Sequence, residues 1–289
     1  MQFYLAVNQK KDPALEFAGE ILRYIHGKGS EAEILGIHRD TFGNYHFDIP
    51  AARPGTVLVL GGDGTFLQCL NDLNLVLAQY PVIGINLGTL GFLTQVERED
   101  VYDAIDSILA GDYTLEELPL LSASVDNDRV QFCEQASNDV VIGRNGFARV
   151  ITLDVCIDGS FAFQARCDGL IVSTAAGSTA YNVSLGGPVV PPGTPVFVVT
   201  PIAPHLPGLR PIIVPDTSVV TVRIHGGRDH KMEGLVTCDG RSNGLWLEHN
   251  EVVTVRRHDF SGKRIILNNS RRGFYDIFRD KLLTFNNAK

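Results

Sequence analysis

The first third of the chain alternates short apolar runs with amphipathic segments. The apolar runs lack polar positions, as strands buried on both faces of a parallel sheet do. They are Phe3–Val7, Val57–Leu60 and Val82–Ile85. The amphipathic segments repeat apolar side chains at helical spacing and cover 12–26, 65–79 and 99–110. Asp12 and Pro13 have the residue types of an N-cap and a first helical turn. This alternation predicts a parallel α/β domain with ligand sites at the carboxyl ends of its strands.

The pattern changes after residue 118. Short β-branched runs separated by Gly, Pro and Asp/Asn turns predict a β-rich domain over 119–256. These runs are Val140–Ile142, Val150–Ile157, Leu170–Val172, Val196–Thr200, Ile212–Val214, Val219–Ile224 and Val252–Val255. A final helix is expected over Arg271–Leu283, with Phe274, Ile277, Phe278 and Leu282 on one face. We therefore divide the chain into 1–118, 119–256 and a tail, 257–289, that packs back on the first domain.

Composition and charge narrow the class of protein. A chain of 289 residues is long enough for about two domains. The net charge of −8 argues against a general nucleic-acid or acidic-membrane binder. No apolar run approaches the ~20 residues of a membrane span, and the N-terminus lacks a secretory pattern. The five scattered cysteines have no CxxC spacing and are typical of reduced thiols, so we expect a cytoplasmic protein without a metal site.

A glycine-rich loop follows the second apolar run. It consists of Gly61, Gly62, Asp63, Gly64 and Thr65. Glycines let a backbone approach phosphates, and a helix N-terminus favours anions. An aspartate repels phosphate, so its presence indicates a proton acceptor or a metal ligand. The alternative is an ordinary strand-to-helix turn in which Asp63 is the N-cap.

A second group of polar residues lies between 168 and 188. Its hydroxyl residues, one tyrosine and two glycine clusters have the chemistry to bind a ribose, stack on a base and hydrogen-bond phosphates. The alternative is a strand followed by a helix that Ser178 or Thr179 caps. A degenerate glycine pattern at 84–91 only weakly suggests a dehydrogenase, because it lacks the GxGxxG spacing and the acidic residue that follows it.

Taken together, these segments resemble the NAD kinase family along nearly the whole chain. The similar segments are 61–65, 84–94, 138–139, 168–188, 201–214 and 274–282, in the family's order. The resemblance implies an N-terminal parallel-sheet α/β domain, a C-terminal β-rich domain and an active site in the crevice between them. It also implies phosphorylation of the adenosine-ribose 2′-hydroxyl of NAD by ATP or polyphosphate, giving NADP.

The resemblance assigns roles residue by residue. Asp63 would take the proton from the 2′-hydroxyl, and Gly61, Gly62 and Thr65 would form the phosphate-donor loop. The residues that would contact NAD are Gly64, Asn138, Asp139, Arg149, Arg166, Asp168, Thr179, Ala180, Tyr181 and Ser184. Many members have Glu where this chain has Asp139.

The resemblance further implies a cofactor and a partner. Because the Asp63 carboxylate would repel the donor phosphates, we expect Mg²⁺ as a cofactor. The phosphates would supply most of its ligands, and we assign no protein ligand to it. A homodimer or homotetramer is expected, with a neighbour completing parts of the site. Three residues depart from the family pattern: Ala175 and Ala176 replace the usual Pro-Thr, and Arg241 replaces a common Gln.

Two other functions share these motifs. A lipid kinase of the diacylglycerol or sphingosine type shares the GGDGT loop, but such an enzyme needs a membrane-facing segment that this acidic chain lacks. A non-catalytic dinucleotide sensor could use the same scaffold, although the intact Asp63 argues against it.

Overall fold

The chain divides into two units, which we describe separately. The computed structural model describes residues 1–50, 53–73, 80–127, 129–144, 150–225, 234–270 and 272–283. The N-terminal unit comprises Met1–Asp40, Tyr45–Glu117 and Gly262–Lys289. The C-terminal unit comprises Thr41–Asn44 and Leu118–Ser261.

The N-terminal unit contains a parallel sheet and three main helices. Its strands are β1 (Gln2–Val7), β2 (Glu31–Ile34), β3 (Ile37–Arg39), β4 (Tyr45–Phe47), β5 (Thr56–Gly61), β6 (Val82–Asn86) and β7 (Val96–Glu97). Its helices are α1 (Glu16–Gly27), α2 (Asp63–Asp72) and α3 (Val101–Ala110), the last preceded by a 3₁₀ turn at Arg98–Asp100. The sheet has the order β6-β5-β1-β2, with Leu5 paired to Ile34 on one side and to Leu58 on the other.

Burial explains why the central strands of this sheet are so apolar. Every residue of β5 and of β6 is buried, and β1 is buried from Phe3 onward. Helices α1 and α3 contribute Ile21, Ile25 and Ile105 to the same core. The interior is therefore the typical core of a parallel sheet covered by helices.

The helix boundaries differ from the sequence prediction at two places. Helix α1 begins at Glu16, so the expectation that Asp12 is its N-cap is wrong. The Asp12 carboxylate nevertheless accepts a hydrogen bond of 3.0 Å from the backbone N–H of Ala18, so it reaches the first turn from outside the helix. Helix α2 begins at Asp63, two residues earlier than predicted. The predicted continuation over 74–79 lies outside the described residues.

The C-terminal unit is built almost entirely from antiparallel strands. Its strands are β8 (Tyr113–Asp126), β9 (Gln131–Ala136), β10 (Asp139–Arg144), β11 (Ile151–Ile157), β12 (Ser160–Cys167), β13 (Gly169–Thr174), β14 (Val196–Ile202), β15 (Ile212–Pro215), β16 (Val220–His225), β17 (Gly234–Cys238), β18 (Leu245–Leu247) and β19 (Val252–Leu267). Strands β8 and β19 continue along the chain into the N-terminal unit, where Arg264 of β19 pairs with Val82 in parallel. A 3₁₀ turn at Ala176–Thr179 and the single helical turn α4 (Tyr181–Ser184) follow β13.

Two antiparallel arrangements enclose the core of the C-terminal unit. One has the order β12-β11-β16-β19, and the other has the order β15-β14-β13-β10-β17-β18. Their inward-facing residues, among them Val140, Leu153 and Val172, form one apolar cluster. The predicted fold class, a parallel α/β domain followed by an antiparallel β-rich domain, is confirmed.

The end of the chain is less regular than predicted. Helix α5 (Phe274–Phe278) continues as a π-helical turn over Arg279–Leu283, and residue 271 lies outside the described ranges. Ile277 is buried and the Phe274 ring lies 5.7 Å from the ring of Phe92, but Leu282 is exposed. The prediction that Leu282 belongs to the apolar face of this helix is therefore wrong. Within the described ranges, the structure has no helix long and apolar enough to cross a membrane.

Candidate active site

The glycine-rich loop joins β5 to α2 at the carboxyl edge of the parallel sheet. Gly61 is the last residue of β5, Gly62 is the N-cap of α2, and Asp63 is its first helical residue. The alternative in which Asp63 is the N-cap is therefore wrong. Thr65 is buried and accepts a hydrogen bond of 3.0 Å from the side-chain amide of Asn8, in the loop after β1.

The Asp63 carboxylate is held by a second loop, the 92–94 loop. Its Oδ2 accepts the backbone N–H of Phe92 at 2.8 Å. Its Oδ1 accepts the N–H of Leu93 at 3.0 Å, and the N–H and hydroxyl of Thr94 at 3.1 Å each. Each carboxylate oxygen has two lone pairs, and Oδ2 accepts only the one hydrogen bond from Phe92, so Oδ2 keeps one position for a further donor.

Close approach between Asp63 and the second loop requires a glycine. A Cβ on Gly91 would lie 1.9 Å from Asp63 Oδ1, a distance at which one of the two would have to move. The sequence segment GTLGFLT therefore contributes space as well as amide donors. This is the structural reason for a glycine three residues before Thr94.

A buried arginine supports the 92–94 loop from inside the N-terminal unit. Arg264 donates to the carbonyl oxygen of Phe92 at 3.0 Å and pairs with Glu116 at 2.6 Å. Only 3% of Arg264 is exposed. Burial lowers the pKa of Arg264, while the carboxylate of Glu116 and, more weakly, that of Asp63 act in the opposite direction. Sequence reasoning did not single out Arg264, because its partners lie far away along the chain.

In the C-terminal unit, one carboxylate holds the Asn138-Asp139 segment. Asp239 accepts the backbone N–H groups of Ser137 and Asn138 at 2.7 Å each and that of Asp139 at 3.1 Å. The N–H of Asp239 in turn donates to the Asp139 carbonyl at 2.9 Å. Asp239 has a φ of 50°, in the left-handed region that Asp tolerates better than most residues. Sequence reasoning missed Asp239, although it stands in the same turn as the noted Arg241.

Thr174 holds the carbonyl side of the same segment. Its hydroxyl donates to the Ser137 carbonyl at 2.7 Å, and its N–H donates to the Asn138 carbonyl at 2.8 Å. The same hydroxyl accepts the N–H of Gly177 at 2.9 Å. A Cβ on Gly177 would lie 2.1 Å from the Asn138 carbonyl oxygen. Thr174 and Gly177 therefore bring the Asn138-Asp139 segment against the turn that leads to Thr179 and Tyr181.

The carboxyl group of Asp139 has an unusual environment. Asp139 is 6% exposed. Burial, and secondly the negative charge of Asp239, raise the pKa of Asp139 to about 7. The group therefore changes charge near neutral pH, which is typical of functional sites but also occurs in structural clusters.

The remaining predicted NAD contacts near Thr174 lie on one turn. Thr179 ends the 3₁₀ turn, with its hydroxyl bonded to the Ala176 carbonyl at 3.1 Å. Ala180 follows, and Tyr181 and Ser184 are the exposed ends of α4. Ser178 is buried and exchanges hydrogen bonds with Val190, so neither it nor Thr179 caps α4. Arg149 lies outside the described residues.

Asp168 lies at the opposite end of the β10–β13 pair from Asn138 and Asp139. Asp139 pairs with Ser173 at one end of these strands, whereas Gly143 pairs with Gly169 at the other. The six residues of β10 span about 17 Å at the usual strand rise. Asp168 forms an ion pair of 2.9 Å with Arg144, which sequence reasoning also missed.

Arg166 is exposed on β12, two residues before Asp168. Asn138, Asp139 and the 179–184 turn therefore lie together in the C-terminal unit. Asp168 lies at the other end of the β10–β13 pair.

The residues that depart from the family pattern are accounted for inside the C-terminal unit. Ala175 and Ala176 are buried. Arg241 donates to the Gln135 carbonyl, bonds the Cys238 carbonyl at 3.2 Å and lies 3.6 Å from the Glu134 carboxylate. Its side chain is only 12% exposed, so the charge of Arg241 is directed into the fold.

The described residues contain no group of three or more His, Cys, Asp or Glu side chains that could hold a metal ion. All five cysteines are free thiols. The expectation of a metal held mainly by ligand phosphates therefore remains a hypothesis.

Comparison with known proteins identifies the family. Residues 51–113 match the ATP-NAD kinase N-terminal domain, and residues 137–267 match the ATP-NAD kinase C-terminal domain. The chain is 34% identical to an NAD kinase of Chlorobium phaeobacteroides, over 98% of this chain and 97% of that protein. It is 44% identical to an NAD kinase of Ralstonia nicotianae, over 81% of this chain and 75% of that protein.

Solved structures agree with this result. An NAD kinase from Archaeoglobus fulgidus in complex with ATP superposes with a TM-score of 0.75 at 25% identity, over 96% of this chain and 99% of that one. Yeast NADH kinase complexed with NADH shares the fold, with a TM-score of 0.81 at 21% identity, over 100% of this chain and 89% of that one. The predicted resemblance is confirmed, and the chain belongs to the NAD kinase family.

Proposed function

We propose that this enzyme transfers a phosphoryl group from ATP to the adenosine-ribose 2′-hydroxyl of NAD, giving NADP, with Asp63 as the proton acceptor. The observation that supports this role most directly is the position of Asp63. Its carboxylate is fixed by four donors beside a glycine-rich helix N-terminus, and Oδ2 retains one acceptor position. A fixed carboxylate next to a phosphate-binding turn is what proton transfer during phosphoryl transfer needs.

The two sides of the carboxylate would have different tasks. The donors of the 92–94 loop fix Oδ1 and one side of Oδ2, so the carboxylate does not reorganise during the reaction. The remaining position on Oδ2 would accept the hydroxyl proton as the oxygen attacks the terminal phosphorus of ATP and the bond from that phosphorus to its bridging oxygen breaks, releasing ADP. Positioning and charge neutralisation account for most of the catalysis of such a transfer.

NAD would bind to the C-terminal unit at the Asn138-Asp139 segment, which Asp239 and Thr174 hold in place. Asn138 and Asp139 offer side-chain donors and acceptors, and the exposed Tyr181 offers an aromatic face for a base.

Since Asp168 lies at the far end of β10 and β13, we propose that it serves the site of a neighbouring copy in a homodimer or homotetramer. Mixing Asp63→Asn and Asp168→Asn chains tests this: restored activity in the mixture supports shared sites, and none contradicts them.

Mg²⁺ is proposed as the cofactor. It would neutralise the donor phosphates and be held mainly by them, since the nearest carboxylate on this loop, Asp63, already has four donors. This chain would contribute backbone N–H groups of the first turn of α2 and the fixed carboxylate.

The activity assay uses purified protein with NAD, ATP and MgCl₂, and detects NADP with an NADP-specific dehydrogenase. Parallel reactions replace ATP by polyphosphate, and NAD by NADH or by a diacylglycerol. NADP formation is expected. Turnover of the lipid alone would refute the proposal, and dinucleotide binding without turnover of any acceptor would indicate a sensor.

Asp63→Asn tests the proton-acceptor role. We expect kcat to fall by about 10²-fold or more, the scale of losing a general base, with calorimetric Kd values for ATP and NAD changed only a few-fold. Asp72→Asn is the matched control, because the Asp72 carboxylate at the other end of α2 is hydrogen-bonded and its side chain is only 5% exposed. It should alter stability and leave kcat unchanged. An equal loss of affinity and of kcat in Asp63→Asn would instead assign Asp63 a structural role.

A further inference from the structure

The loop after β1, residues 8–12, is fastened to the glycine-rich loop. The N–H of Asn8 donates to the Leu60 carbonyl at 2.9 Å, and its side-chain amide donates to the Thr65 hydroxyl at 3.0 Å. The Asn8 carbonyl then accepts the N–H groups of Lys11 and Asp12 at 2.9 and 3.1 Å. The backbone of Lys11 is therefore fixed relative to Gly61–Thr65, in the same unit.

The Lys11 ammonium group lies over two glycines from two different loops. Its Nζ would be 2.8 Å from a Cβ on Gly88 and 3.5 Å from a Cβ on Gly62. Gly62 stands at the carboxyl end of β5, and Gly88 stands two residues after the end of β6. The Gly88 turn is itself fixed, since Asn86 bonds both its N–H and its carbonyl, at 3.1 and 2.8 Å.

The charge of Lys11 has no protein counter-charge among the described residues. No carboxylate forms an ion pair with Lys11 there, whereas Lys28, for comparison, pairs with Asp106 at 2.8 Å. Asp63, which follows Gly62 in the sequence, has its four donors from the 92–94 loop. A cation over two glycine turns, beside the first N–H groups of a ten-residue helix, creates a region that favours an anion.

From this placement we infer that Lys11 binds the phosphoryl groups of the donor. This inference rests on the proposed function. The ligand chemistry is a polyphosphate chain, supplied either by ATP or by inorganic polyphosphate. Lysine suits this task, because its compact ammonium acts as a point charge on phosphate oxygens. The charge of Lys11 would offset the repulsion between the Asp63 carboxylate and the donor phosphates. Because Gly62 and Gly88 have no Cβ, they leave room for the Lys11 ammonium group and a phosphate.

The test replaces Lys11 by methionine, an unbranched side chain that is one atom shorter and carries no charge. We expect kcat/KM for ATP to fall about 10- to 100-fold, the scale of losing a hydrogen bond to a charged group. The KM for NAD should stay within about twofold of the wild-type value. Lys11→Arg should recover part of the loss. Lys10→Met is the matched control, because Lys10 is an exposed neighbour for which the structure shows only a backbone bond to the Asn8 side chain.

Binding measurements separate this inference from the proposed function. Calorimetric titration of wild-type and Lys11→Met protein with ATP–Mg²⁺, and separately with inorganic tripolyphosphate, requires no turnover. A weaker Kd in the variant supports the inference even if the wild-type protein makes no NADP, in which case only the proposed function fails. A loss with both titrants assigns the contact to the polyphosphate chain, and a loss with one identifies the donor. An unchanged ATP Kd and KM in Lys11→Met, or an equal loss in Lys10→Met, would overturn it.

Discussion

The raised pKa of Asp139 predicts a specific pH dependence of stability. The pKa is about 7 in the folded chain against an ordinary value of 3.8, because the group is buried and faces the charge of Asp239. A folded state that binds the proton more tightly is stabilised at low pH relative to the unfolded chain. The contribution is therefore fully present below about pH 4 and is lost as the pH rises through 7.

The size of the effect follows from the same two values. The difference between them corresponds to a change on the order of 4 kcal/mol in the free energy of unfolding between pH 4 and pH 8. Asp139→Asn replaces the carboxyl by a group that stays neutral throughout. The free energy of unfolding of the variant, relative to the wild-type protein, should therefore increase from pH 4 to about pH 7 and then level off.

The assay is denaturant unfolding at a series of pH values, followed by the fluorescence of Trp246. This is the sole tryptophan of the chain and lies on β18, in the same sheet as Asp139. A difference between variant and wild type that stays constant from pH 4 to pH 8 would refute the reasoning, since it would mean that Asp139 titrates normally.

Asp154→Asn provides a control of opposite sign in the same unit. Burial opposes ionisation of Asp154, but the hydrogen bonds from His225 at 2.6 Å and from Gln164 at 2.7 Å outweigh it, and its pKa is lowered. A depressed carboxyl pKa stabilises the fold above the unfolded value. Asp154→Asn should therefore lose stability relative to the wild-type protein as the pH rises towards about 4, and this difference should stay constant from there to pH 8. The difference for Asp139→Asn has the opposite sign and changes between about pH 4 and pH 7.

Two further substitutions test the supports of the site. Thr174→Val leaves the Ser137 carbonyl and the Gly177 N–H without their partner, so it should lower the free energy of unfolding by about 2–4 kcal/mol and raise the KM for NAD. Thr174→Ser should keep most of both in the same unfolding and kinetic assays, and equal losses would contradict this account. Gly91→Ala places a Cβ against Asp63, so it should destabilise by about 1–3 kcal/mol and lower kcat in those assays. Gly27→Ala, where the Cβ meets nothing within 4 Å, should do neither, and matching losses would refute the steric argument.

Burial decides which elements the sequence could predict. Strands β5 and β6 are buried along their whole length, so their apolar runs were unambiguous. The edge strand β2 has alternating exposed and half-buried positions and two glutamates, and it was not predicted. Local apolar runs therefore identify central strands, whereas an edge strand depends on a neighbour that the local pattern does not contain.

The candidate site divides in the same way. The GGDGT loop was visible because its glycines, its aspartate and the following helix are adjacent in sequence. The groups that fix Asp63 and Asn138 were not visible: Phe92 is 29 residues from Asp63, and Asp239 is 101 residues from Asn138. Nothing in the local sequence around Asp239 shows that its carboxylate receives three backbone N–H groups. Tertiary contacts determine such roles, so they cannot be predicted from the local sequence alone.

The same arrangement of backbone donors supports predicted site residues in each unit. Three consecutive N–H groups, of Phe92, Leu93 and Thr94, bind one aspartate, and three others, of Ser137, Asn138 and Asp139, bind a second. In each case backbone N–H groups solvate a carboxylate: in one, the carboxylate is the predicted proton acceptor, Asp63, and in the other it holds the predicted NAD contacts Asn138 and Asp139. The net charge of −8 therefore overstates the repulsion that a phosphate would meet. The local balance depends on how each carboxylate is solvated, and Asp63 and Asp239 are solvated by the protein itself.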